Sequence, residues 1–288
     1  MVVTTGFFDG VHKGHRIVIQ RLVCEARNRG QKSLVITFWP HPRTVLQDGA
    51  RELRLLNSLE EKKQLLYALG VDQVQVLDFD REFSRLTAEQ YLRDYVKGFF
   101  GGKTVLLGYN HRIGCDAPGA EELRKTASAL GLETVMVDKA PGNVSSTLIR
   151  KALEEGDVSG AAEMLGYRYS LTGVVVAGNR LGRTIGFPTA NLKLYDPLKM
   201  VPRNGVYAVE AQVLGHTYKG MCNIGVRPTV AEGSAPSIET NIFDFDQDIY
   251  GLDLKVTFKE KIRDEKKFPS LQALAGQLAK DKDIATIK

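Results

Sequence analysis

The chain has 288 residues, 43% hydrophobic and 25% charged, an ordinary globular composition with apolar material for two medium-sized cores. A net charge of +5 and a pI near 9.0 are mildly basic, which fits a soluble surface with some excess lysine or, more sharply, attraction of polyanionic small molecules such as ATP; no basic run is interleaved with aromatics, so nucleic acid is not an expected partner. The three cysteines are far apart and form no C-x-x-C, no apolar run approaches a membrane span, and the first residues show no basic n-region, which together exclude a disulfide scaffold and a helical membrane protein and point to the cytoplasm.

From residue 1 to about 166, strand-like and helix-like segments alternate. Val2–Thr5 predicts a strand, 14–29 a helix ending at Gly30, and Ser33–Phe38 a strand. Glu60–Leu69 is helical, Gln73–Phe79 alternates as a strand, and Thr87-Ala-Glu-Gln90 is a capping box opening a helix to about Val96. Lys103–Gly108 predicts a buried strand, Ala120–Leu130 a helix, and Leu132–Val137 a further strand. Such alternation predicts a parallel sheet covered by helices on both faces, with ligands beyond the carboxyl ends of the strands. Gly6–His15 and Gly108–His111 both follow strands, where that rule places a site.

After Gly166 the texture becomes β-rich. Leu171–Ala177, Tyr207–Val213, Tyr218–Ile224, Glu239–Phe245 and Leu252–Phe258 read as strands, and Leu214-Gly215-His216 as a hairpin turn. Several short strands with regular turns predict a small barrel. Ser270 is placed to cap a terminal helix carrying Leu271, Leu274 and Leu278. The expectation is an α/β domain over 1–166 and a mainly β barrel with a terminal helix over 167–288, the boundary falling near 158–168.

Three motifs carry chemistry. In Gly6-Phe7-Phe8-Asp9-Gly10-Val11-His12-Lys13-Gly14-His15, two histidines three apart open a helix, so both can face an anion at its positive end. Taken alone, the pair fits equally one capping and one solvated histidine. A zinc site would need a third ligand such as His41 or His111, and metal-ligand spacing is lacking. In Asn143-Val144-Ser145-Ser146-Thr147-Leu148-Ile149-Arg150, hydroxyls precede a helix and a guanidinium follows, which is a phosphate clamp or an ordinary N-cap with a surface arginine. In the run 178–191, Gly178, Gly182 and Gly186 stand four apart and let backbone amides approach phosphates, while Thr189 and Asn191 add oxygen ligands suited to Mg²⁺. This run is neither a P-loop nor a dinucleotide fingerprint.

The His-x-Gly-His loop resembles the phosphate site of adenylyl-transferring enzymes. Together with Thr37-Phe38-x-Pro40-His41-Pro42, Gly108-Tyr109-Asn110-His111-Arg112-x-Gly114 and Ser145–Arg150, it resembles the FMN adenylyltransferase module of the prokaryotic bifunctional riboflavin kinase/FAD synthetase family. The 178–191 run resembles that family's riboflavin kinase signature, supported by Asn204–Tyr207, 223–229 and Glu239–Phe245. The resemblance implies a Rossmann-like nucleotidyltransferase domain followed by a kinase barrel, with ATP, riboflavin and FMN as substrates and Mg²⁺ as cofactor. It implies that His12 and His15 hold phosphates in the transition state, that Ser146, Thr147 and Arg150 grip the β and γ phosphates, and that Gly6, Phe8, Asp9, Gly14 and Asn110 belong to the same nucleotide site. For the kinase it implies Glu239 as general base, a phosphate loop of Gly178, Gly182, Arg183 and Gly186, Thr189 and Asn191 at Mg²⁺ and ATP, and Arg263 near the flavin. The chain departs from the family pattern at Asn241, commonly His, at Asn110, often Asp, and at 115–120, where a basic residue is missing. Two rivals stay open: a kinase with a weakened adenylyltransferase, and a flavin-binding regulator without turnover.

Overall fold

A run of four β-branched residues can be wholly buried only in a strand covered on both faces. Val2–Thr5 does this: it forms β1, with every side chain buried. The structure is a computed structural model and describes residues 1–46, 53–109, 111–138, 142–178, 181–225 and 236–288. It divides into two compact units, Met1–Ser145 and Ser146–Lys288.

In the first unit β1 is followed by α1 (Lys13–Asn28), β2 (Ser33–Trp39), α2 (Pro42–Leu46), α3 (Leu59–Ala68) and β3 (Gln73–Asp78). Then come α4 (Ala88–Gln90), which runs on as a π-type helix over Tyr91–Phe99, β4 (Thr104–Gly108), α5 (Ala120–Ala129) and β5 (Glu133–Val137). The strands form a five-stranded parallel sheet in the order β3-β2-β1-β4-β5. Strand side chains alternate between faces. Val2, Val35 and Leu106 therefore pack under Ile19, Leu22 and Leu66, while Val3, Leu34, Ile36, Val105 and Leu107 pack under Leu92, Val96 and Leu123. The order reverses between β1 and β4, so the loops after these two strands open on the crevice where a doubly wound sheet takes its ligand.

Helix starts follow the local chemistry. Thr87 and Gln90 form the expected reciprocal cap, at 3.2 and 2.9 Å. A second capping box, Ser58 with Glu61, starts α3. The helix after Thr87 continues past the expected Val96 to Phe99, and the short α2 within the Pro40–Pro42 motif has no counterpart in the periodicity.

The second unit begins with α6 (Ser146–Glu155) and α7 (Val158–Leu165) and continues with β6 (Ser170–Val176), α8 (Leu181–Thr184), β7 (Ala190–Leu194), β8 (Gly205–Val213), β9 (His216–Gly225), β10 (Ser237–Ile242), β11 (Asp253–Arg263) and α9 (Leu271–Ile287). Six antiparallel strands close into a barrel in the order β10-β7-β6-β11-β8-β9. Closure leaves no free sheet edge. The β8–β9 turn is the expected one, with Leu214 and Gly215 both at positive φ, 52° and 79°. β10 stops at Ile242 rather than Phe245, where Asp244 takes a φ of 54°. β11 runs five residues beyond Phe258 because two register shifts, at Phe258/Glu260 and Lys261/Arg263, bend its end. Ser270 caps α9 by accepting from Ala273 N at 3.1 Å, and Leu278 and Ala285 pack with Val206, Ala208 and Met221 on the barrel wall.

Two candidate active sites

The β1–α1 loop is held from below. Asp9, buried in its 3₁₀ turn, accepts at Oδ1 from the backbone N–H groups of Leu56 (2.9 Å) and Asn57 (3.4 Å), so the loop is tied to the entrance of α3. Phe8 takes a φ of 53°, sinks into the core under α1 and meets the His15 ring edge-on at 5.3 Å. His12 is the N-cap of α1: its Nδ1 accepts from His15 N at 3.3 Å. The His12 and His15 rings stack, with centroids 3.6 Å apart and planes inclined by 17°. Gly14 lies between them on the first turn.

Burial pushes the His12 imidazole down to about 4, and burial with the neighbouring His12 and Lys62 charges pushes His15 down as well. Both rings are therefore neutral near pH 7. With Nδ1 accepting, His12 carries its proton on Nε2 and can donate it to an anion. The Nδ1 of His15 is buried without a hydrogen-bond partner.

Beside the loop lies a cavity of about 430 Å³ walled by Thr5, Gly6, Phe7, Phe38, Phe79, Phe83, Tyr91, His111, Arg112 and Cys115. The Phe38, Phe79 and Phe83 rings lie 5.6 to 5.9 Å from one another, and Tyr91 is 5.9 Å from Phe83. Such a chamber suits a flat aromatic ligand. His111 accepts at Nδ1 from Gly108 N at 3.3 Å, and burial lowers it to about 4 against the favourable bond to the Thr5 carbonyl. The departing segment 115–120 has a structural job: Cys115 N donates to Leu86 O, and Asp116 Oδ1 accepts from Ala88 N, both at 2.8 Å, which seats this wall on the start of α4. Asn110 lies outside the described residues.

Lys62 was missed by motif reading. It is 0% exposed on α3, with Nζ 3.5 Å above the Phe7 ring and 3.5 Å from Thr37 Oγ1. Burial lowers its ammonium to about 8, opposed by the Asp9 charge. A signal existed: Leu59, Lys62 and Leu66 share the inward stripe of α3, and lysine is out of place there.

Ser146, Thr147 and Arg150 lie on the first turns of α6, at the start of the second unit; Ile149, Ala152 and Leu153 bury the other side of that helix.

In the barrel, Thr189 and Asn191 are alternate residues entering β7, and Glu239 on β10 pairs directly with Asn191 and with Asn223 of β9. Glu239, Asn223, Asn241, Arg263 and Thr189 line a cavity of about 270 Å³ whose apolar walls are Phe187, Val206, Met221, Phe268, Leu274 and Leu278. A second hollow of about 430 Å³ takes in Arg183, Thr189, Ala190, Asp246 and Tyr250. Thr189 lines both. The glycines are needed for space: a Cβ on Gly178 would lie 2.1 Å from the Asn191 amide, and one on Gly182 2.2 Å from Phe187 O. Arg183 is on α8, and Gly186, with a φ of 81°, ends that loop. Asn241, where a histidine was expected, donates from Nδ2 to Pro188 O at 2.7 Å and thereby holds the strand that carries Thr189.

Arg263 is fixed by a residue that sequence reading passed over. Asp281 of α9, 0% exposed, takes Nε at 2.9 and 3.1 Å and Nη2 at 2.7 Å, and Gln277 donates to its Oδ1 at 2.9 Å. Among the described residues, no cluster of three or more His, Cys, Asp or Glu could hold a metal ion. The oxygens of Thr189 and Asn191, on one face of an extended segment, are the hard donors that fit Mg²⁺ beside nucleotide phosphates.

Residues 1–148 match the family described as FAD synthetase, and 165–287 the family described as riboflavin kinase. A bifunctional riboflavin kinase/FMN adenylyltransferase of Listeria monocytogenes is 38% identical, covering 97% of this chain and 90% of its own, and one of Escherichia coli is 38% identical with the same coverage. A crystal structure from Streptococcus pneumoniae, solved under the name macrolide-efflux protein, has 35% identity and a TM-score of 0.92 over 99% of this chain and 93% of that one. Among the described residues, no helix of the present chain is long and apolar enough to cross a membrane. These matches run along nearly the whole length of the chain: it belongs to the bifunctional riboflavin kinase/FMN adenylyltransferase family.

Proposed function

We propose that the barrel phosphorylates riboflavin with MgATP, giving FMN and ADP, and that the α/β domain transfers AMP from a second ATP to FMN, giving FAD and pyrophosphate. The observation that carries the kinase assignment is Thr189, shared by a cavity that holds Glu239 and a hollow that holds Arg183. Flavin in the first and ATP in the second bring the 5′-hydroxyl and the γ-phosphate together there. Glu239 takes the hydroxyl proton as the oxygen attacks the γ-phosphorus and the bond to ADP breaks. Gly178, Gly182, Arg183 and Gly186 shape the phosphate loop. Thr189 and Asn191 would hold Mg²⁺, which when bound offsets phosphate charge. Arg263, clamped by Asp281, fixes the flavin side.

For adenylyl transfer, an FMN phosphate oxygen attacks the α-phosphorus of ATP and pyrophosphate leaves. Positioning and electrostatics carry such a step, with no protein nucleophile. His12 and His15 donate to the phosphates from the neutral state; Gly6, Phe8, Asp9 and Gly14 shape the loop, and the aromatic chamber takes the flavin ring. We assign residues 1–166 to this activity and 167–288 to the kinase. The free thiols of Cys24, Cys115 and Cys222 fit a reducing cytoplasm, and the ligands are small molecules rather than nucleic acid or membrane.

The test is chromatography of products from riboflavin, ATP and Mg²⁺. FMN followed by FAD is the expected result. FMN alone would remove the second activity, and flavin binding without conversion would reduce the protein to a regulator.

A further inference from the structure

Lys62 has no role in the chemistry assigned above, yet burying it is costly. A methionine or leucine on the inward stripe of α3 would pack there with no charge to desolvate. The ammonium has three donors, and among the described residues its one hydrogen bond, to Thr37 Oγ1, is 3.5 Å long, at the limit of such a bond. What it does touch is the nucleotide loop. Thr37 Oγ1 donates to the Phe7 carbonyl at 3.2 Å while Lys62 sits on the Phe7 ring, so Phe7 is gripped at both ends. Phe7 in turn walls the aromatic chamber and meets His41 at 4.1 Å.

We propose that Lys62 is a positioning residue for adenylyl transfer: its buried ammonium pins the Phe7–Asp9 turn against β2. This rests on the adenylyltransferase reading of the first unit. Among the described residues, three elements besides α3 present groups at this point. The 3₁₀ turn presents Asp9, which attracts the ammonium; α1 presents His15, with His12 stacked behind it; β2 presents the neutral Thr37. On α3 itself, Glu61 is engaged in the capping box and Glu60 pairs with Lys63. Burial already brings Lys62 to about 8, so the ammonium would be lost just above neutrality.

The experiment uses the full chain. FMN-to-FAD turnover is followed from about pH 6.5 to about pH 10, and the Lys62 ¹³Cε resonance is titrated in the same protein. The expected result is an alkaline fall in kcat for FAD formation with the midpoint of the Lys62 resonance, absent from riboflavin phosphorylation. In Lys62→Met, kcat falls roughly tenfold or more while KM for ATP stays within about threefold. Lys62→Arg restores turnover and abolishes the alkaline fall. A folded Lys62→Met with parental turnover overturns the proposal. So does an alkaline fall that does not coincide with the Lys62 resonance, which needs no variant to fold. A parent protein that makes no FAD at any pH would instead overturn the adenylyltransferase reading on which the proposal rests.

Discussion

Removing Asp281 should separate two effects that the structure joins in one residue. Its carboxylate is 0% exposed and makes three contacts of 2.7 to 3.1 Å with Arg263, whose side chain is 20% exposed. Truncation to alanine leaves a mostly buried guanidinium without its counter-ion, a change that costs about 3–5 kcal/mol. For a unit of this size that corresponds to a fall in Tm of roughly 10 °C in the second unit's transition. Arg263 also lines the Glu239 cavity, so loss of its clamp should raise KM for riboflavin several-fold. The double variant Arg263→Met/Asp281→Leu removes both charges and should recover most of the stability, because a buried pair exchanged for apolar side chains is close to neutral. It should not recover KM. Calorimetry of Arg263→Met, Asp281→Leu and the double, with riboflavin kinetics on each, closes the cycle. A single Asp281→Ala melting within about 2 °C of the parent, or a double as unstable as the sum of the singles, would refute the reasoning.

The other expectations are simpler to read. Glu239→Gln keeps the shape of the cavity but removes the base, so kcat for riboflavin phosphorylation should fall by about 10²–10⁴ while FMN-to-FAD conversion persists; equal loss of both in a folded protein would contradict two separate sites. His15→Asn should do the reverse, and a normal rate of FAD formation would remove the stacked histidines from the mechanism. His12 and His111 are both lowered to about 4 in the folded chain from an ordinary value of 6.5. The unfolded chain therefore takes up their protons first, and the stability they contribute is complete above about pH 6.5 and is lost as pH falls toward 4, up to about 3 kcal/mol for each. Denaturant titrations of the first unit at pH 7 and at about pH 4.5 should show this, and an unchanged midpoint would mean that these rings are not held neutral.

What was legible in the sequence is what neighbours in the chain decide. The β-branched run at Val2–Thr5, the reciprocal cap at Thr87 and Gln90, the Ser270 cap and the Leu214-Gly215 turn each depend on a few adjacent residues, and each formed as expected. The stacked histidines follow from three-residue spacing at a helix start, whereas the short helix α8 within the glycine run 178–186 was not announced by its spacing. The tertiary structure alone decided the rest. The Lys62 ammonium meets Phe7 only because α3 packs beside the β1–α1 loop, and Asn241 reaches Pro188 only because the barrel sets β10 beside β7. Two bulges in β11 bend its last residues, where strict alternation could not foretell which way Arg263 would turn, and α9 returns to set Asp281 against it. Periodicity reports which face of an element is apolar; it carries no information on which distant element will cover that face, because that choice is made by the closure of the sheet and the packing of the whole core.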